Sequence, residues 1–452
     1  MILSRPFAPD ALERSVPRYT SYPTAPHFTE GVCGATYRRW LEELPRDAAV
    51  SLYLHVPFCD ELCWFCACRT QGSRNYRPVS RYLDILIAEI AMVAALTGPD
   101  HPVSQMHWGG GSPTILSPED MARLAGAMHR HFPNSRSAEF AVEIDPRDMT
   151  VPRLDALAAA GLSRASIGVQ DFEPRVQEAI GRRQSYEVTR DVVEGLRARG
   201  VGGINIDLLY GLPGQTAETL MSTIEKVVGL APDRLALFGY AHVPWMARRQ
   251  KMIDESILPG TTLRRRQAAL AAQMLREAGY VPIGIDHFAK PDDAMAKAAV
   301  DGTLRRNFQG YTVDPAVALI GMGASAIGSM PQGYMQNDPA TAGYQTAIEG
   351  GHLATVRGKA FTADDLARRD AIEQILCHFA LDLDRLAARH GIAAAPVAEI
   401  AEALIAGAPA GALTRQGRGF AIAPDWRAHA RLIAAEFDAY FQNRPARHSL
   451  AV

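Results

Sequence analysis

Short apolar runs alternate with longer amphipathic stretches along the chain from about residue 49. The runs are rich in β-branched and aromatic residues, which predicts strands. They read AVSLYLHV, SQMHWGGG, AEFAVEI, SRASIGVQ, GINIDLLYG and RLALFGYAHV, and YVPIGIDHFA predicts a further strand. In the stretch after the first run, apolar positions recur at helical spacing. They are Val79, Tyr82, Leu83, Leu86, Ile87 and Ile90. Six strand-then-helix units of roughly 30 to 40 residues predict parallel strands with right-handed crossovers, in an open doubly wound sheet or a partial barrel.

Polar and glycine-rich residues follow the predicted strands at the points where they end. A cysteine-rich loop follows the first strand, and glycines 109 to 111 with Ser112 follow the second. The later strands end near Glu143 and Asp145, Gln170 and Asp171, Asp207, and Tyr240 and His242. Because the carboxyl ends of parallel strands share one edge of the sheet, these residues predict a common site there.

The two ends of the chain differ from the alternating part. Residues 1–48 read as an irregular segment, rich in aromatic residues and proline at VPRYTSYPTAPHF. Residues 49–350 form the alternating domain, and residues 360–452 predict a small, mostly helical domain that begins with a cap at Thr362. The Ala-rich stretch 392–413 reads as soluble helix, since Glu399 and Glu402 interrupt it. A last helix is predicted with one apolar face, formed by Ile433, Phe437, Tyr440 and Phe441.

Composition narrows the classes of function. The chain has 47 Lys and Arg against 49 Asp and Glu, a net charge of −2, which argues against a general nucleic-acid binder because such a protein needs a basic face. We expect a cytoplasmic protein without membrane insertion, because the N-terminal stretch lacks an apolar signal segment. Thiols stay reduced in that compartment. The isolated Cys33 and Cys377 are predicted to be buried free thiols.

The other four of the six cysteines lie within ten residues, with the spacing C-x3-C-x2-C-x-C. They are Cys59, Cys63, Cys66 and Cys68. A structural zinc site is one alternative, although such sites usually draw paired cysteines from two loops. Three cysteines in C-x3-C-x2-C can instead hold three corners of a 4Fe–4S cubane, which leaves the fourth iron open to a chelating ligand.

This spacing after the first strand resembles the radical S-adenosylmethionine (SAM) superfamily, and WGGGSP resembles its glycine-rich motif. A narrower resemblance covers about residue 17 to the C-terminus. It is carried by RYTSYPT, YLHVPFCDELCWFCAC, HWGGGSPT, VEIDPR, SIGVQDF, NIDLLYGLPGQT, YAHVP, IDHFAKPDD, RNFQGYT and GMGASAIG, in this order. These motifs resemble the oxygen-independent coproporphyrinogen III oxidases. The resemblance implies a partial (β/α)6 radical-SAM barrel with an irregular N-terminal segment and a small, mostly helical C-terminal domain.

The resemblance also implies roles at matching positions. Cys59, Cys63 and Cys66 would bind the cluster, and Cys68 would act in catalysis without binding it. Residues expected at the SAM on the cluster are Tyr53, Gly110, Glu143 and Ile327, of which Tyr53 and Glu143 would be catalytic. Residues expected at a second SAM are Phe65, Gly111, Ser112, Gln170, Arg182, Asp207 and Ala241. The catalytic Phe308 and Gln309, with Arg18 and Tyr19, would lie near substrate. Arg69 and Gly239 stand where some members have asparagine, and Ser112 replaces threonine.

The reaction implied is decarboxylation of two propionates of coproporphyrinogen III to the vinyl groups of protoporphyrinogen IX, in haem biosynthesis. It would use one cluster, two SAM molecules and an electron donor such as flavodoxin or ferredoxin, in a monomeric enzyme.

Two other functions remain as alternatives, a related haem-trafficking or haem-modifying protein and a zinc-binding module. For Glu143, Asp145 and Asp207, the structural alternative is a strand-end carboxylate that binds backbone amides. His107, His242 and His287 can equally be core histidines.

Overall fold

The computed structural model describes residues 6–8 and 11–441 of the chain. A large sheet organises the fold of these residues. Twelve strands of these residues belong to it. In chain order they are β1 Val50–Val56, β2 Val103–Gly110, β3 Glu139–Ile144, β4 Arg164–Gln170, β5 Gly203–Tyr210, β6 Arg234–Gly239, β7 Val281–Ile283, β8 His287–Ala289, β9 Ala318–Met322, β10 Ile327–Met330, β11 Gly333–Asn337 and β12 Thr355–Ala360. Their order across the sheet is β12-β11-β10-β9-β1-β2-β3-β4-β5-β6-β8-β7.

The six predicted strands are confirmed as β1 to β6, and each pairs in parallel with the next. Their order never reverses, so the sheet is singly wound, and the doubly wound alternative is wrong. The stretch predicted as one further strand forms two short strands, β7 and β8, which pair antiparallel. Sequence reasoning missed β9, which pairs in parallel with the free side of β1, and the antiparallel strands that extend the sheet from it.

Helices follow the strands and pack on them. The described helices are α1 Gly34–Glu42, α2 Arg77–Thr97, α3 Pro118–His131, α4 Val151–Ala159, α5 Pro174–Ala179, α6 Tyr186–Arg197, α7 Ala217–Gly229, α8 Thr261–Glu277, α9 Ala294–Val300, α10 Thr341–Glu349, α11 Ala363–His378, α12 Leu383–His390, α13 Ala395–Gly407 and α14 Ala430–Glu436. In α2 the predicted apolar face is confirmed, because five of its six residues are buried and Ile87 is partly buried against the same core. The short strands outside the large sheet are Phe58–Cys59 with Gln71–Gly72, Arg305–Asn307 with Gly310–Thr312, and Ala380–Leu381 with Leu413–Gln416 and Gly419–Ile422.

Several local predictions at the two ends of the chain need correction. The N-terminal segment contains the nine-residue helix α1, and Cys33, which precedes it, is exposed, whereas Cys377 is buried as expected. The Ala-rich helix α13 ends at Gly407, and the chain then turns into the strand Leu413–Gln416. The last helix ends at Glu436, because the Asp438 carboxylate accepts hydrogen bonds from the backbone N–H groups of Tyr440 and Phe441.

The capping residue at Thr362 is confirmed. Its hydroxyl accepts a hydrogen bond from the Asp365 N–H at 3.1 Å, and the Asp365 carboxylate accepts one from the Thr362 N–H at 2.9 Å. This reciprocal pair is a capping box, which satisfies two N–H groups that the first turn of α11 leaves unbonded.

Two large apolar cores lie in the described residues. One core packs the sheet against α1 to α4, α6 to α8 and α10. The other core joins α11 to α14 with residues from the start of the chain, namely Ala11, Leu12, Val16, Tyr19 and Tyr22. The N-terminal segment is therefore packed into the helical C-terminal region, although the two lie about 350 residues apart in sequence.

Candidate active site

The cysteine loop lies between β1 and α2, at the carboxyl end of the first strand. Cys59 ends the short strand that pairs with Gln71–Gly72, which closes the loop at its base. Arginine side chains surround the buried Cys63, because Arg182 Nη1 and Arg147 Nη2 lie 3.4 and 3.5 Å from its Sγ. Both arginines also pair with the Asp145 carboxylate, at 3.0 and 2.7 Å. The arginines therefore bring positive charge to the thiol while the carboxylate fixes their position.

The thiols of the loop differ in how readily they ionise. Hydrogen bonding from Cys68, helped by Arg249 and Arg182, lowers the pKa of Cys66 to about 6, and the Cys68 N–H lies 3.4 Å from its Sγ. The hydrogen bond with Cys66 raises the pKa of Cys68, and burial raises that of Cys59 to about 12. Cluster ligands are thiolates, so Cys66 is ready to bind iron at neutral pH, whereas Cys59 must lose its proton on binding.

These residues fit an iron–sulfur cluster better than a single metal ion. Within residues 6–8 and 11–441, no three His, Cys, Asp or Glu side chains converge on one point as ligands of a single ion. In a cubane, each of the three cysteines binds a different iron, so the sulfurs need not converge. The loop also supplies an ionised thiol and two arginines that offset the negative charge of thiolates.

The glycine-rich turn after β2 lies against the cysteine loop and Glu143. The N–H groups of Gly111 and Ser112 donate to the carbonyls of Val56 and Phe58, at 2.9 and 2.7 Å. A Cβ atom at Gly111 would lie 2.4 Å from the Phe58 oxygen. Gly110 has φ +112° and leaves no room beside the His55 ring. Glycine is therefore required at both positions, because the turn approaches the backbone of the cysteine loop too closely for a side chain.

Glu143 is the penultimate residue of β3, and two donors hold its carboxylate. The Gly110 N–H donates to Oε2 at 3.0 Å, and His107 Nε2 lies 3.3 Å from Oε1. Burial alone raises the pKa of Glu143, but His107 and the Gly110 N–H outweigh it, so the pKa is lowered and the carboxylate is ionised. The backbone bond agrees with the structural alternative, yet the side chain remains 40% exposed and can accept further hydrogen bonds. The Tyr53 ring lies 5.7 Å from the His107 ring at an interplanar angle of 32°. Tyr53 and Glu143, both predicted to be catalytic, therefore share His107 as a neighbour.

Asp207 lies two strands away, on β5, with side-chain partners rather than backbone ones. Its oxygens accept hydrogen bonds from Asn205 Nδ2 at 2.8 Å and from the Ser166 hydroxyl at 3.2 Å. Burial, reinforced by the negative charge of Glu143, raises the pKa of Asp207 to about 6. The structural alternative, a carboxylate that binds backbone amides, is not observed at Asp207, because both of these partners are side chains.

The remaining residues expected at a second SAM lie around the same edge of the sheet. Ser112 is buried and bonds Thr114 and Asp148, and Gln170 has the positive φ of +69° at the end of β4. Arg182 is engaged by Asp145 and Cys63. Phe65 packs in a small apolar cluster beside Trp64, under the turn after β6. The structure thus collects these residues near the cysteine loop, and whether they contact a second SAM stays a prediction.

A one-turn 3-10 helix, Arg248–Met252, holds the cysteine loop in place, and sequence reasoning missed it. The buried Gln250 donates from Nε2 to the carbonyls of Phe65 and Ala241, at 2.7 and 3.0 Å. Arg249 Nη2 donates to the carbonyls of Cys68 and Thr70, at 3.0 and 3.2 Å. Since the contacts with Phe65, Cys68 and Thr70 join residues more than 170 positions apart, no local pattern in the sequence could have indicated them.

Phe308 and Gln309 form the tip of the hairpin between Arg305–Asn307 and Gly310–Thr312. The Phe308 ring contacts those of Phe28 and Tyr334, at 6.5 and 5.1 Å, while Gln309 is exposed. Phe308 lines a small cavity of about 90 Å³ together with Tyr19. The structure therefore groups Phe308 with the N-terminal segment rather than with Glu143 and the cysteines.

Two residues expected near substrate serve also as structural ties. The Tyr19 hydroxyl donates to Asp438 at 3.0 Å, and Arg18 Nη2 donates to the Gly239 carbonyl at the end of β6. These bonds join the N-terminal segment to the C-terminal region and to the sheet. Gly239 also explains one departure from the family pattern, because a Cβ atom there would lie 2.9 Å from the Tyr210 hydroxyl.

Ile327, the last residue expected at the first SAM, begins β10 after a loop that a buried carboxylate fixes. Glu89 of α2 accepts hydrogen bonds from the Gly323 N–H, Asn337 Nδ2 and the Tyr344 hydroxyl, at 2.6, 2.6 and 2.7 Å. Burial raises the pKa of Glu89 to about 7. Sequence reasoning missed Glu89, although a lone acidic residue among the apolar positions of a predicted helix is a detectable signal.

A wide cleft of about 880 Å³ opens between α8, β8 and the helical C-terminal region. Seven arginines and two carboxylates line it. They are Arg18, Arg265, Arg266, Arg276, Arg306, Arg427 and Arg431, with Asp286 and Asp425. The cleft reaches His287, whose ring packs 5.4 Å from Phe238 and whose charge lowers the pKa of Asp207, although burial dominates there. The basic cleft and the site at the strand ends are therefore neighbours.

The fold and the site define a class of protein, and comparison with known sequences agrees. Residues 53–227 match the radical SAM superfamily. The chain is 48% identical over 440 residues to an oxygen-independent coproporphyrinogen III oxidase of Bradyrhizobium diazoefficiens, covering 97% of this chain and 98% of the relative. It is 50% identical over 438 residues to an enzyme of the same name from Cereibacter sphaeroides, covering 96% of each.

A solved structure matches as well. The Escherichia coli coproporphyrinogen III oxidase, described as a radical SAM enzyme, superposes with a TM-score of 0.90 at 36% identity, covering 95% of this chain and all of that chain. The chain belongs to the family of oxygen-independent coproporphyrinogen III oxidases. None of the helices in the described part of the chain is both long and apolar enough to span a membrane.

Proposed function

We propose that this chain is an oxygen-independent coproporphyrinogen III oxidase that converts two propionates of coproporphyrinogen III to the vinyl groups of protoporphyrinogen IX, in haem biosynthesis. The observation that carries the proposal is identity of 48–50% over nearly the whole length of enzymes with this name. The haem-trafficking alternative is not favoured, because none of these relatives bears such a name. A zinc-binding module is not favoured either, since the cysteine loop lies in a radical SAM domain.

A 4Fe–4S cluster and SAM, when bound, supply the radical that removes hydrogen from a propionate β-carbon. Cys59, Cys63 and Cys66 would hold the cluster. Cys68 is not assigned to the cluster and would have a catalytic role, and its hydrogen bond with Cys66 raises the pKa of its thiol. The ionised Glu143 suits the SAM amino group, since charge-assisted hydrogen bonds are strong.

Two decarboxylations consume two SAM molecules, and we propose that the second binds beside the first. Asp207 is the main support, because it is a buried carboxylate whose pKa is raised by burial and by the negative charge of Glu143. A positive group there would relieve the cost of the buried charge. Phe65, Gly111, Ser112, Gln170, Arg182 and Ala241 complete the proposed second site, and Tyr53, Gly110 and Ile327 the first.

We propose that the basic cleft receives the porphyrinogen. Coproporphyrinogen III carries four carboxylates, and guanidinium groups bind carboxylates in bidentate fashion. Burial and the positive charge of the nearby Arg18 lower the pKa of Arg431 to about 10. Such repulsion between neighbouring cations is expected at a site where guanidinium groups bind an anion. Phe308, Gln309 and Tyr19 would cover the substrate from the N-terminal side. The three-part division at residues 1–48, 49–350 and 360–452, a monomeric state and a cytoplasmic location belong to the same proposal.

Anaerobic turnover tests the proposal. The purified protein, reconstituted with iron and sulfide, is incubated with coproporphyrinogen III, SAM and dithionite, and the products are oxidised and separated as porphyrins. We expect protoporphyrin IX, absent when SAM is omitted. Recovery of coproporphyrin alone, from protein with a full cluster that cleaves SAM, would reject the assignment of substrate.

A further inference from the structure

An apolar and basic patch lies on the surface beside the cysteine loop. The Trp245 patch consists of Trp245, Met246, Arg248, Lys251 and Met252. Its apolar side chains are unusually accessible, since Trp245, Met246 and Met252 are 46%, 70% and 62% exposed. Large apolar side chains that cluster on a surface mark interaction sites, and Trp, Met and Arg are the residues enriched at protein interfaces.

The patch is joined directly to the cysteine loop. It belongs to the segment 245–252, whose Arg249 and Gln250 donate hydrogen bonds to the carbonyls of Cys68 and Phe65, at 3.0 and 2.7 Å. The segment that carries the patch therefore contacts the cysteine loop directly. A short covalent and hydrogen-bonded path from surface to cluster is what an electron-transfer partner requires.

Charge indicates the kind of partner. The sequence WMARRQKM at residues 245–252 has three cations and no anion, in a chain whose net charge is −2. The next two acidic residues are engaged locally, because Asp254 accepts from the Ser256 N–H at 2.9 Å and Glu255 lies 2.9 Å from His242 Nε2. The patch therefore complements an acidic surface, and such complementarity speeds and orients association.

We infer that the Trp245 patch is the docking surface of a flavodoxin, the acidic electron carrier that holds flavin mononucleotide. This inference rests on the proposed function, which needs a reduced cluster. The exposed dimethylbenzene edge of the flavin is apolar, and Trp245 with the two methionines offers it an apolar contact ringed by cations. In the transfer, the reduced flavin gives up one electron and the oxidised cluster takes up that electron, with no bond formed or broken.

Two variants test the docking surface without touching the proposed SAM and cluster residues. Trp245→Ala removes the aromatic contact, and the double variant Arg248→Glu/Lys251→Glu reverses the charge. Matched controls are Ile392→Ala, at a residue 94% exposed in the C-terminal region, and Arg130→Glu/Arg136→Glu, at exposed residues just before β3. The reconstituted proteins are titrated with oxidised flavodoxin, and cluster reduction by reduced flavodoxin or by dithionite is followed in rapid-mixing experiments without porphyrinogen.

We expect each patch variant to weaken flavodoxin binding roughly tenfold or more, and to slow flavodoxin-driven reduction correspondingly, with the reduction by dithionite and the iron content unchanged. The parent's binding should also weaken steeply with added salt. Equal slowing with both reductants, an effect as large in the controls, or unchanged flavodoxin binding would overturn the inference. The inference would also be overturned if the patch variants slowed cluster reduction by reduced ferredoxin, in a parallel assay, but not cluster reduction by flavodoxin. Normal reduction by flavodoxin without porphyrinogen turnover would instead reject only the proposed function.

Discussion

At the scale of single residues, the neighbouring thiols of the cysteine loop have different surroundings. Cys63 is buried between two arginines, while Cys68 is exposed and donates its hydrogen bond to Cys66. Proximity in sequence therefore does not make the four cysteines equivalent. We expect Cys59, Cys63 and Cys66 to bind the cluster, whereas Cys68, whose pKa is raised by its hydrogen bond with Cys66, is not expected to bind it.

This difference predicts opposite outcomes for two serine variants. Cys63→Ser should lose the cluster and all SAM cleavage, because a cubane with two protein thiolates is poorly held. Cys68→Ser should keep about four irons per chain yet lose most decarboxylation. Iron and sulfide analysis after anaerobic reconstitution gives the first quantity, and porphyrin analysis the second. Equal loss of iron in the two variants would instead indicate a site with four thiolates.

Asp207 carries a prediction that depends on pH. Its folded pKa of about 6 lies above the ordinary value of 3.8, so the folded protein holds the proton more tightly than the unfolded chain. The stabilising effect of that proton is complete at low pH and is lost as the pH rises through 6. In the cofactor-free protein at pH 7.5, the buried charge should cost roughly 2–4 kcal/mol of unfolding free energy.

Asp207→Asn removes the charge and can still bond Asn205 and Ser166. We therefore expect the cofactor-free variant to melt at a higher temperature than the parent at pH 7.5, with the difference narrowing as the pH is lowered toward 5. We also expect weaker SAM binding at the second site, roughly ten- to a hundredfold for the loss of a charged hydrogen bond. Equilibrium dialysis of the reconstituted protein measures the SAM ratio. A lower melting temperature at every pH, with a ratio still near two, would show a structural role only.

Residue-scale inference from the sequence succeeded where a motif carries its own chemistry. The structure places the cysteines, Gly110, Glu143 and Asp207 at one edge of the sheet because strand ends are local features. It groups Phe308 with Phe28 and Tyr334, which nothing in the sequence near residue 308 could indicate. Glu89 and Gln250 likewise act through partners far along the chain.

At the scale of elements, the 3-10 helix Arg248–Met252 is a brace for the cysteine loop. Gln250 is buried and bonds two carbonyls and the Val243 N–H, so its amide is nearly saturated. A residue so fully bonded sets the distance between the loop after β1 and the turn after β6. Those two stretches include Phe65 and Ala241, which we expect at the second SAM.

Gln250→Glu tests this brace with a nearly isosteric change. The carboxylate can still accept from Val243, but it cannot donate to the Phe65 and Ala241 carbonyls, which should cost about 1–3 kcal/mol in unfolding free energy. We expect a lower melting temperature and reduced SAM binding at the second site, with the cluster retained. Gln273→Glu, on the exposed face of α8, is the matched control. A variant with unchanged melting and SAM binding would contradict the brace.

The elements that the sequence predicted well have a clear internal period. In strands β4 and β5 buried and half-buried positions alternate, and helix α2 buries one face. Strand β1 is buried on both faces and matches instead the pattern of a continuous apolar run. The missed strands β9 to β11 are short and lie among glycines, and β11 is buried at every position, so it lacks the alternation that marks a strand. The final helix was predicted too long because Phe437 is buried through a turn that Asp438 closes, which mimics a continued apolar face.

At the scale of the whole molecule, the basic cleft depends on three separate parts of the chain. Arg18 comes from the N-terminal segment, Arg266 from α8 and Arg431 from α14. The N-terminal segment is held in position by bonds from Arg431 to the Val16 and Pro17 carbonyls, at 2.9 and 3.3 Å. A tetracarboxylate bound here would thus contact all three parts at once.

A substitution at Arg266 tests directly whether the basic cleft binds substrate, because Arg266 is exposed on the wall of the cleft that α8 forms. Arg266→Gln should raise KM for coproporphyrinogen III several-fold with kcat nearly unchanged, since it removes a contact that the ground state and the transition state share. SAM cleavage without porphyrinogen should not change. Arg130→Gln, at an exposed position away from the cleft, is the control. Unchanged KM and kcat in Arg266→Gln would place Arg266 outside the substrate site.

The central claim is that one polypeptide carries out two SAM-dependent decarboxylations on one porphyrinogen, and the product ratio tests it most directly. Under anaerobic conditions with limiting coproporphyrinogen III, the reconstituted enzyme is quenched over time and its products are quantified. We predict two molecules of 5′-deoxyadenosine and two of CO2 for each protoporphyrinogen IX. 5′-Deoxyadenosine formed without CO2 or protoporphyrinogen, at a rate that coproporphyrinogen III does not change, would contradict the account.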